Sequence, residues 1–359
     1  MRSALLAAAL LGLAAAAPRP QGIDFGSFDA AEEPEVQGPP AGATTDVIPI
    51  DKDEVVEELT ATLVKRDVPP ACLASSEPLG NGPTPSVDTP EAFSAYQDFS
   101  DIANSHEAPH PRSPYKRTFV NKDGSTHQNG YLGLHTLSEY SPHLCEAKCD
   151  QKEGCVSFNI FFERNPKYTP NSECPNPPST TNIKCTLWGF PIAAGSAVNK
   201  GQTRQQFKVV IAGSNGYTKP ASASPIAKFT GPVSLPGAIN EPSGAKSYIR
   251  TQTFKTSGYF MPELCASGCE TMTAYNSRHR KPDGTYVPCN FFNAYVLTTN
   301  GVGEATVCAY YTKEWSSEYA VNKGQWRGAD FYGVTNSFSY ALTTPDLGGK
   351  ASISGAQQR

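Results

Sequence analysis

The chain has 359 residues, a formal net charge of −4, 38% hydrophobic and 18% charged residues, 31 prolines and 10 cysteines. A slightly acidic balance offers no basic footprint for nucleic acid or for an anionic membrane surface. The partners to expect are neutral glycans or proteins.

Met1-Arg2-Ser3 followed by the apolar run 4–17 has a short basic start, a core too short to span a bilayer, and small residues at its end. These features predict a secretory signal peptide over 1–17 and a secreted, extracellular product. Nothing later is apolar enough to cross a membrane, and the polar residues 348–359 argue against a lipid anchor. On a secretory route the cysteines read as a disulfide framework, not as thiolate ligands or nucleophiles.

Residues 18–110 are rich in Pro, Ala, Ser, Asp and Glu, a composition that buries too little apolar surface to order itself. Within them, 51–65 places Val55, Leu59 and Leu63 on one helical face, with acids in the first turn and Lys65 and Arg66 at the end, as a short dipole-matched helix would. Lys65-Arg66 and Lys116-Arg117 are dibasic pairs in loop-like surroundings. A cut after Arg66 would make 18–66 a propeptide and leave 67–114 as a Pro-rich, disordered arm.

From here the chain contains one unit twice. Val198-Asn199-Lys200-Gly201-Gln202 recurs as Val321-Asn322-Lys323-Gly324-Gln325, each copy equally far beyond a cysteine (Cys185, Cys308) and each followed two residues on by Arg204 or Arg327. Upstream, Cys145 and Cys149 in the first copy match Cys265 and Cys269 in the second, each Cys-x3-Cys pair preceded by Leu, Pro and Tyr. Two copies are too few for a stacked solenoid, so they read as two self-contained modules at 115–217 and 247–345, joined by a linker at 218–246 and followed by a disordered tail at 346–359.

Ser141 before Pro142 is an N-cap with proline at the first helical position, and the helix runs on until Gly154 stops it. Cys145 and Cys149 share one face of that helix. Side chains four apart lie about 6 Å apart at Cβ against the roughly 3.8 Å a bridge wants, so these two should not pair with each other. Val156, Phe158, Ile160 and Phe162 alternate as in a strand with one buried face, and 184–188 and 207–211 are further strands with a tight turn at 199–201 between them. The second module repeats the plan with a helix at 262–275 and strands near 289–297, 307–311 and 331–335. The fold class expected is α+β: two small disulfide-bonded modules, each a helix packed on an antiparallel sheet, after a disordered N-terminal region.

At Cys145-x3-Cys149-x5-Cys155-x2-Phe158, with the later strand Cys185-x-Leu187, the sequence resembles the PAN/apple family. In the second copy a long insertion separates Cys269 from Cys289, and the resemblance there leans on the internal repeat. The layout also resembles secreted fungal proteins with two such modules. The resemblance implies a helix cradled by a curved antiparallel sheet, binding rather than catalysis, and the pairs Cys145–Cys185, Cys149–Cys155, Cys265–Cys308 and Cys269–Cys289. Cys72 and Cys174 then remain, and an oxidising compartment predicts that they join each other and tether the Pro-rich arm.

Of the six histidines only His106-x3-His110 approaches a metal-binding spacing, and Pro109 and Pro111 prevent a helix there; no nucleophile elbow, phosphate loop or paired carboxylates mark the modules, so no metal, cofactor or catalytic residue is expected. The ligand-binding candidates are the repeated planar donors and acceptors Asn199, Gln202, Arg204, Asn322, Gln325 and Arg327, with aromatic platforms at Trp188 and Trp326; Tyr168, Tyr310, Tyr311 and Trp315 are lesser candidates. The reading that results is a non-enzymatic binding protein for extracellular glycan or protein, associated with a cell wall. Its alternatives are a structural or adhesive wall component and, behind that, a hydrolase or oxidoreductase on an unfamiliar scaffold.

Overall fold

The computed structural model describes residues 22–39, 72 and 76–349. The signal segment, the amphipathic stretch 51–65, the Lys65-Arg66 pair and the residues after Gly349 lie outside the described residues.

The chain is α+β, with two antiparallel sheets that carry most of its regular secondary structure. The first contains β1 (Lys116–Lys122), β2 (Tyr131–Leu137), β3 (Ser157–Pro166), β4 (Ser179–Trp188) and β7 (Val210–Thr218) in the order β1-β7-β3-β4-β2. The second contains β8 (Phe229–Leu235), β9 (Tyr248–Phe254), β10 (Phe291–Thr299), β11 (Val302–Tyr311), β12 (Gly324–Arg327) and β13 (Asp330–Leu342). Its order is β12-β13-β10-β11-β9, with β8 also on β13. Read from β8, the second sheet has the same strand order as the first, so the sequence repeat is also a topological one.

β8 lies inside the stretch expected to be a linker, which corrects that boundary. Its Ser234 opposes Phe338 and its Phe229 opposes Leu342 on β13. The Pro/Ala/Ser composition of 219–225 concealed a strand that begins only at Phe229. The strands β5 (Thr203–Arg204) and β6 (Phe207–Lys208) form a small separate hairpin.

One cysteine-bearing helix packs on each sheet. Pro142–Asp150 starts where expected, with the Ser141 hydroxyl accepting from the Leu144 N–H at 3.4 Å, and it buries Cys145 and Cys149 completely. Pro262–Arg278 is longer than expected and buries Cys265 and Cys269. Five disulfides close the framework: Cys145–Cys185, Cys149–Cys155, Cys265–Cys308, Cys269–Cys289 and Cys72–Cys174. This is the connectivity set out above.

The arm corrects the expectation of disorder over its described part. Pro90–Ser94 and Gln97–Ser105 are helices, the first capped by Thr89 Oγ1 accepting from the Ala92 N–H at 3.1 Å. They put Phe93, Phe99 and Ala103 into the core of the first sheet, with the Phe99 ring stacked on Phe162 at 4.4 Å. These three buried apolar side chains supply burial that the overall composition of the stretch does not announce. The tail is also ordered as far as it is described, since the Tyr286 hydroxyl donates to Asp346 at 2.8 Å. The Lys116-Arg117 pair lies on β1, opposite Thr218 and Tyr217 of β7. A sheet strand is a poor protease substrate, because cleavage needs the extended chain free of its ladder.

The β3 strand was expected to have one buried face and has two. Phe158, Ile160 and Phe162 meet the helices, while Ser157, Asn159 and Phe161 are also at most 1% exposed. The 123–130 and 190–199 loops cover this second face, with Phe119, Trp188, Ile192 and Ala197 in one apolar cluster. The two halves pack on each other: Val156 and Phe190 of the first lie in the core that holds Phe260, Cys265 and Tyr310 of the second. Gly189 bridges Tyr259, and the Gly303 N–H donates to the Pro191 carbonyl at 2.8 Å.

Candidate functional site

The repeated Val-Asn-Lys-Gly-Gln segment is not the tip of a hairpin, as its composition predicts. In both halves it runs as a strap across the sheet and is pinned by its asparagine. The Asn199 backbone bridges Ser125 and the Asn322 backbone bridges Ala238. Each side chain closes a local turn, with Oδ1 accepting from the N–H of Gly201 or Gly324 at 3.0 Å. Both glycines have positive φ, +96° and +126°, as expected. The actual reversals come later, between β5 and β6 and at Gly328 between β12 and β13.

Beneath the strap lies a pair of residues that sequence reasoning missed. Asn159 and Asn293 are fully buried, one on β3 and one on β10. Asn159 Oδ1 accepts from the Thr126 N–H at 2.8 Å, and its Nδ2 donates to Ser214 Oγ and to the Asn215 carbonyl, each at 2.8 Å. Asn293 repeats this with the Ile239 N–H, Ser337 Oγ and the Phe338 carbonyl, each at 2.9 Å. The signal was present: each asparagine stands four residues after an aligned cysteine, Cys155 or Cys289. Treating β3 as half-exposed placed Asn159 on the solvent side and hid it.

Both candidate arginines and Gln325 meet the protein's own N-terminal segments. Arg204 forms a two-pronged ion pair with Glu77, Nη1 to Oε2 being 2.8 Å. Glu77 lies close to Cys72, whose disulfide reaches Cys174, and the Ser76 backbone bridges Tyr168. Arg327 pairs in the same two-pronged way with Asp29, at 2.7 and 2.8 Å, and its guanidinium covers the Phe25 ring at 4.7 Å. Those hydrogen bonds hold the Asp29 carboxyl below its usual range and push the Arg327 guanidinium up. Gln325 Oε1 accepts from the Ile23 N–H at 3.0 Å. Gln202 is half-buried, and its carbonyl accepts from the Val209 N–H at 2.8 Å.

Residues 22–33 therefore sit on the second sheet, and Gln37 reaches Gln128 and Asn129 of the first half. Their helix Phe25–Asp29 is capped by Asp24, which accepts from the Ser27 N–H at 3.1 Å. Ile23 and Phe28 join Tyr295, Leu297 and Val307 in one apolar cluster, with Phe25, Tyr332 and Val334 packed against it. The Lys255 ammonium lies over the Phe28 ring at 4.1 Å and pairs with Glu33. Burial pushes the nearby Glu304 carboxyl up, and the Glu33 charge adds to the shift.

The aromatic candidates divide by burial. Trp188 is wholly buried, its Nε1 donating to Thr186 Oγ1 at 3.0 Å, so it has no face to offer a ligand and the structure overturns that assignment. Tyr168, Tyr310, Tyr311 and Trp315 are core residues as well, none more than 8% exposed. Trp326 is 69% exposed and rests against Phe331 at 5.3 Å. Because Trp326 opposes Phe331 while Gln325 opposes Tyr332, these two cross-strand pairs face opposite sides of the hairpin. One side carries the N-terminal segment, and the other presents the indole to solvent.

A cleft of about 580 Å³ lies between the helix Pro262–Arg278 and the edge strand β9. Its polar lining includes Arg250, Gln252 and Asn276, and it contains no Asp, Glu, His or Cys. Among the described residues no cluster of three or more His, Cys, Asp or Glu is gathered to hold a metal ion, and no helix is long and apolar enough to cross a membrane. Comparison with known proteins finds no matching family model, no matching curated protein and no matching solved structure.

Proposed function

We propose that this chain is a secreted, non-enzymatic binding protein built from two PAN/apple-like modules, taking an extracellular glycan or protein ligand on the β12–β13 hairpin of its second half. The observation that carries this reading is Trp326. Its indole is 69% exposed on a rigid hairpin, whereas Trp188 and Trp315 are buried. A flat apolar face backed by Phe331 suits the hydrophobic face of a sugar ring or a partner's apolar side chain. Five disulfides and the signal-like N-terminus support an extracellular setting.

The test is a glycan array and a cell-wall pull-down with the secreted protein, repeated with Trp326→Ala. Binding that falls at least about tenfold in the variant supports the assignment. Equal binding by both proteins places the ligand elsewhere.

A further inference from the structure

The two repeat arginines hold two N-terminal segments, and those segments are tied down differently. The one gripped by Arg204 carries Glu77, close to Cys72, and Cys72 is bonded to Cys174. The one gripped by Arg327 carries Asp29, and residues 18–71 contain no cysteine. Lys65-Arg66 stands between the two segments in the sequence. A chain cut there keeps the Glu77 segment through a covalent bond and keeps residues 22–39 through non-covalent contacts alone.

We propose that the second sheet carries a peptide-binding groove, that residues 22–39 are its detachable resident ligand, and that cleavage after Arg66 opens it to acidic-aromatic peptides. The seated segment defines the chemistry the groove accepts. Phe25 and Phe28, one helical turn apart, are gripped by Tyr332 with ring centroids at 4.9 and 5.6 Å. The carboxylate that follows, Asp29, meets Arg327, and a second acid, Glu33, meets Lys255. The floor of Tyr295, Leu297 and Val307 is at most 4% exposed with the segment in place. Removing Ile23 and Phe28 uncovers that floor between two cationic side chains, a surface that favours an apolar ligand with negative charge.

Beyond Glu33 the segment leaves the second sheet for the first half, where Gln37 donates from Nε2 to Asn129 Oδ1 at 2.8 Å and its carbonyl accepts from the Gln128 N–H at 2.9 Å. Every one of these contacts is available equally to a free peptide. The intact chain competes at the high local concentration of a tethered ligand, and cutting the tether removes that advantage. The groove lies on the hairpin face opposite Trp326, so the inference does not rest on the ligand proposed there.

The experiment takes the full chain, treats it with a dibasic-specific processing protease, and confirms a single cut after Arg66 by intact mass, with Arg66→Gln as the uncut control. The cut protein is gel-filtered at low concentration. A fluorescein-labelled peptide of residues 22–39 is then titrated against both forms by fluorescence anisotropy. The fragment ending at Arg66 should separate, and the peptide should bind the cut form saturably and the uncut control at least about tenfold more weakly. Peptides carrying Phe28→Ala or Asp29→Ala should bind the cut form at least about tenfold more weakly than the parent. The proposal is overturned if the docked chain resists the cut, if the fragment stays bound through gel filtration, or if the parent and Phe28→Ala peptides bind alike. Loss of the circular-dichroism melting transition on cutting also overturns it, because residues 22–39 would then be core and not ligand.

Discussion

Replacing Asn159 or Asn293 by alanine tests the claim that each half is held together by a buried amide. In Asn159→Ala the Thr126 N–H loses its acceptor at a site with no access to water, which costs about 1–3 kcal/mol for the stranded donor. Ser214 Oγ and the Asn215 carbonyl each lose a donated hydrogen bond, at about 0.5–1 kcal/mol apiece. The sum is about 3 kcal/mol. Asn293→Ala removes the same three contacts from Ile239, Ser337 and Phe338, so the same loss is expected. At roughly 2–4 °C per kcal/mol for a body of a few hundred residues, Tm should fall by about 6–12 °C in each variant. Urea unfolding followed by circular dichroism measures the free energy directly, with disulfides left intact so that the comparison stays within one oxidised state. Losses below about 1 kcal/mol in both variants would show that the strap does not need the amide. A large loss in one half alone would refute the equivalence of the two sites.

Gly324→Val and Gly201→Val should each lower stability by more than about 1 kcal/mol, since both positions have positive φ and an added Cβ would meet the Tyr332 or Val209 carbonyl oxygen at 2.1 or 2.2 Å; unchanged melting temperatures would refute the strap geometry. Asp88 accepts from the Ser179 N–H and from Arg164, both at 2.8 Å. Burial acts to raise its carboxyl, yet the Ser179 hydrogen bonds and Arg164 outweigh burial and leave its folded pKa below normal. The stability this adds is present above the unfolded carboxylate value of about 3.9 and is lost as pH falls through the depressed folded value. The native chain should therefore outlast Asp88→Asn at neutral pH and converge with it once the pH falls through the depressed folded value; a gap that does not change with pH would sink the assignment. Non-reducing peptide mapping should recover Cys72 joined to Cys174, and two free thiols there would detach the 76–88 segment from its anchor.

Local features are legible in the sequence because the interactions that fix them are short-ranged. Ser141-Pro142 announces a helix start because a cap acts over three residues, and the positive φ of Gly201 and Gly324 follows from a turn that closes between an asparagine Oδ1 and an N–H two residues on. The same signature at Thr89-Pro90 lies in a stretch whose overall composition reads as disordered. The cysteine pairing came with the family resemblance, and helix geometry by itself contributed only that Cys145 and Cys149 do not join each other.

By itself, the sequence determined the repeat, the α+β class, the oxidised framework and the positions of its capped and left-handed residues, since each depends on neighbours within a turn or on a pattern that recurs. Only the tertiary structure decided what those residues touch. Asn159 proved to be core because loops from both sides of it in the sequence close over β3. Arg204 and Arg327, which their chemistry marked as ligand contacts, proved to be anchors for N-terminal segments, with Arg327 and Asp29 separated by 298 positions. A guanidinium offers the same donors to a sugar, a partner or its own chain. Which of these it meets is set by where the fold brings the nearest carboxylate, and no pattern of local spacing carries that distance.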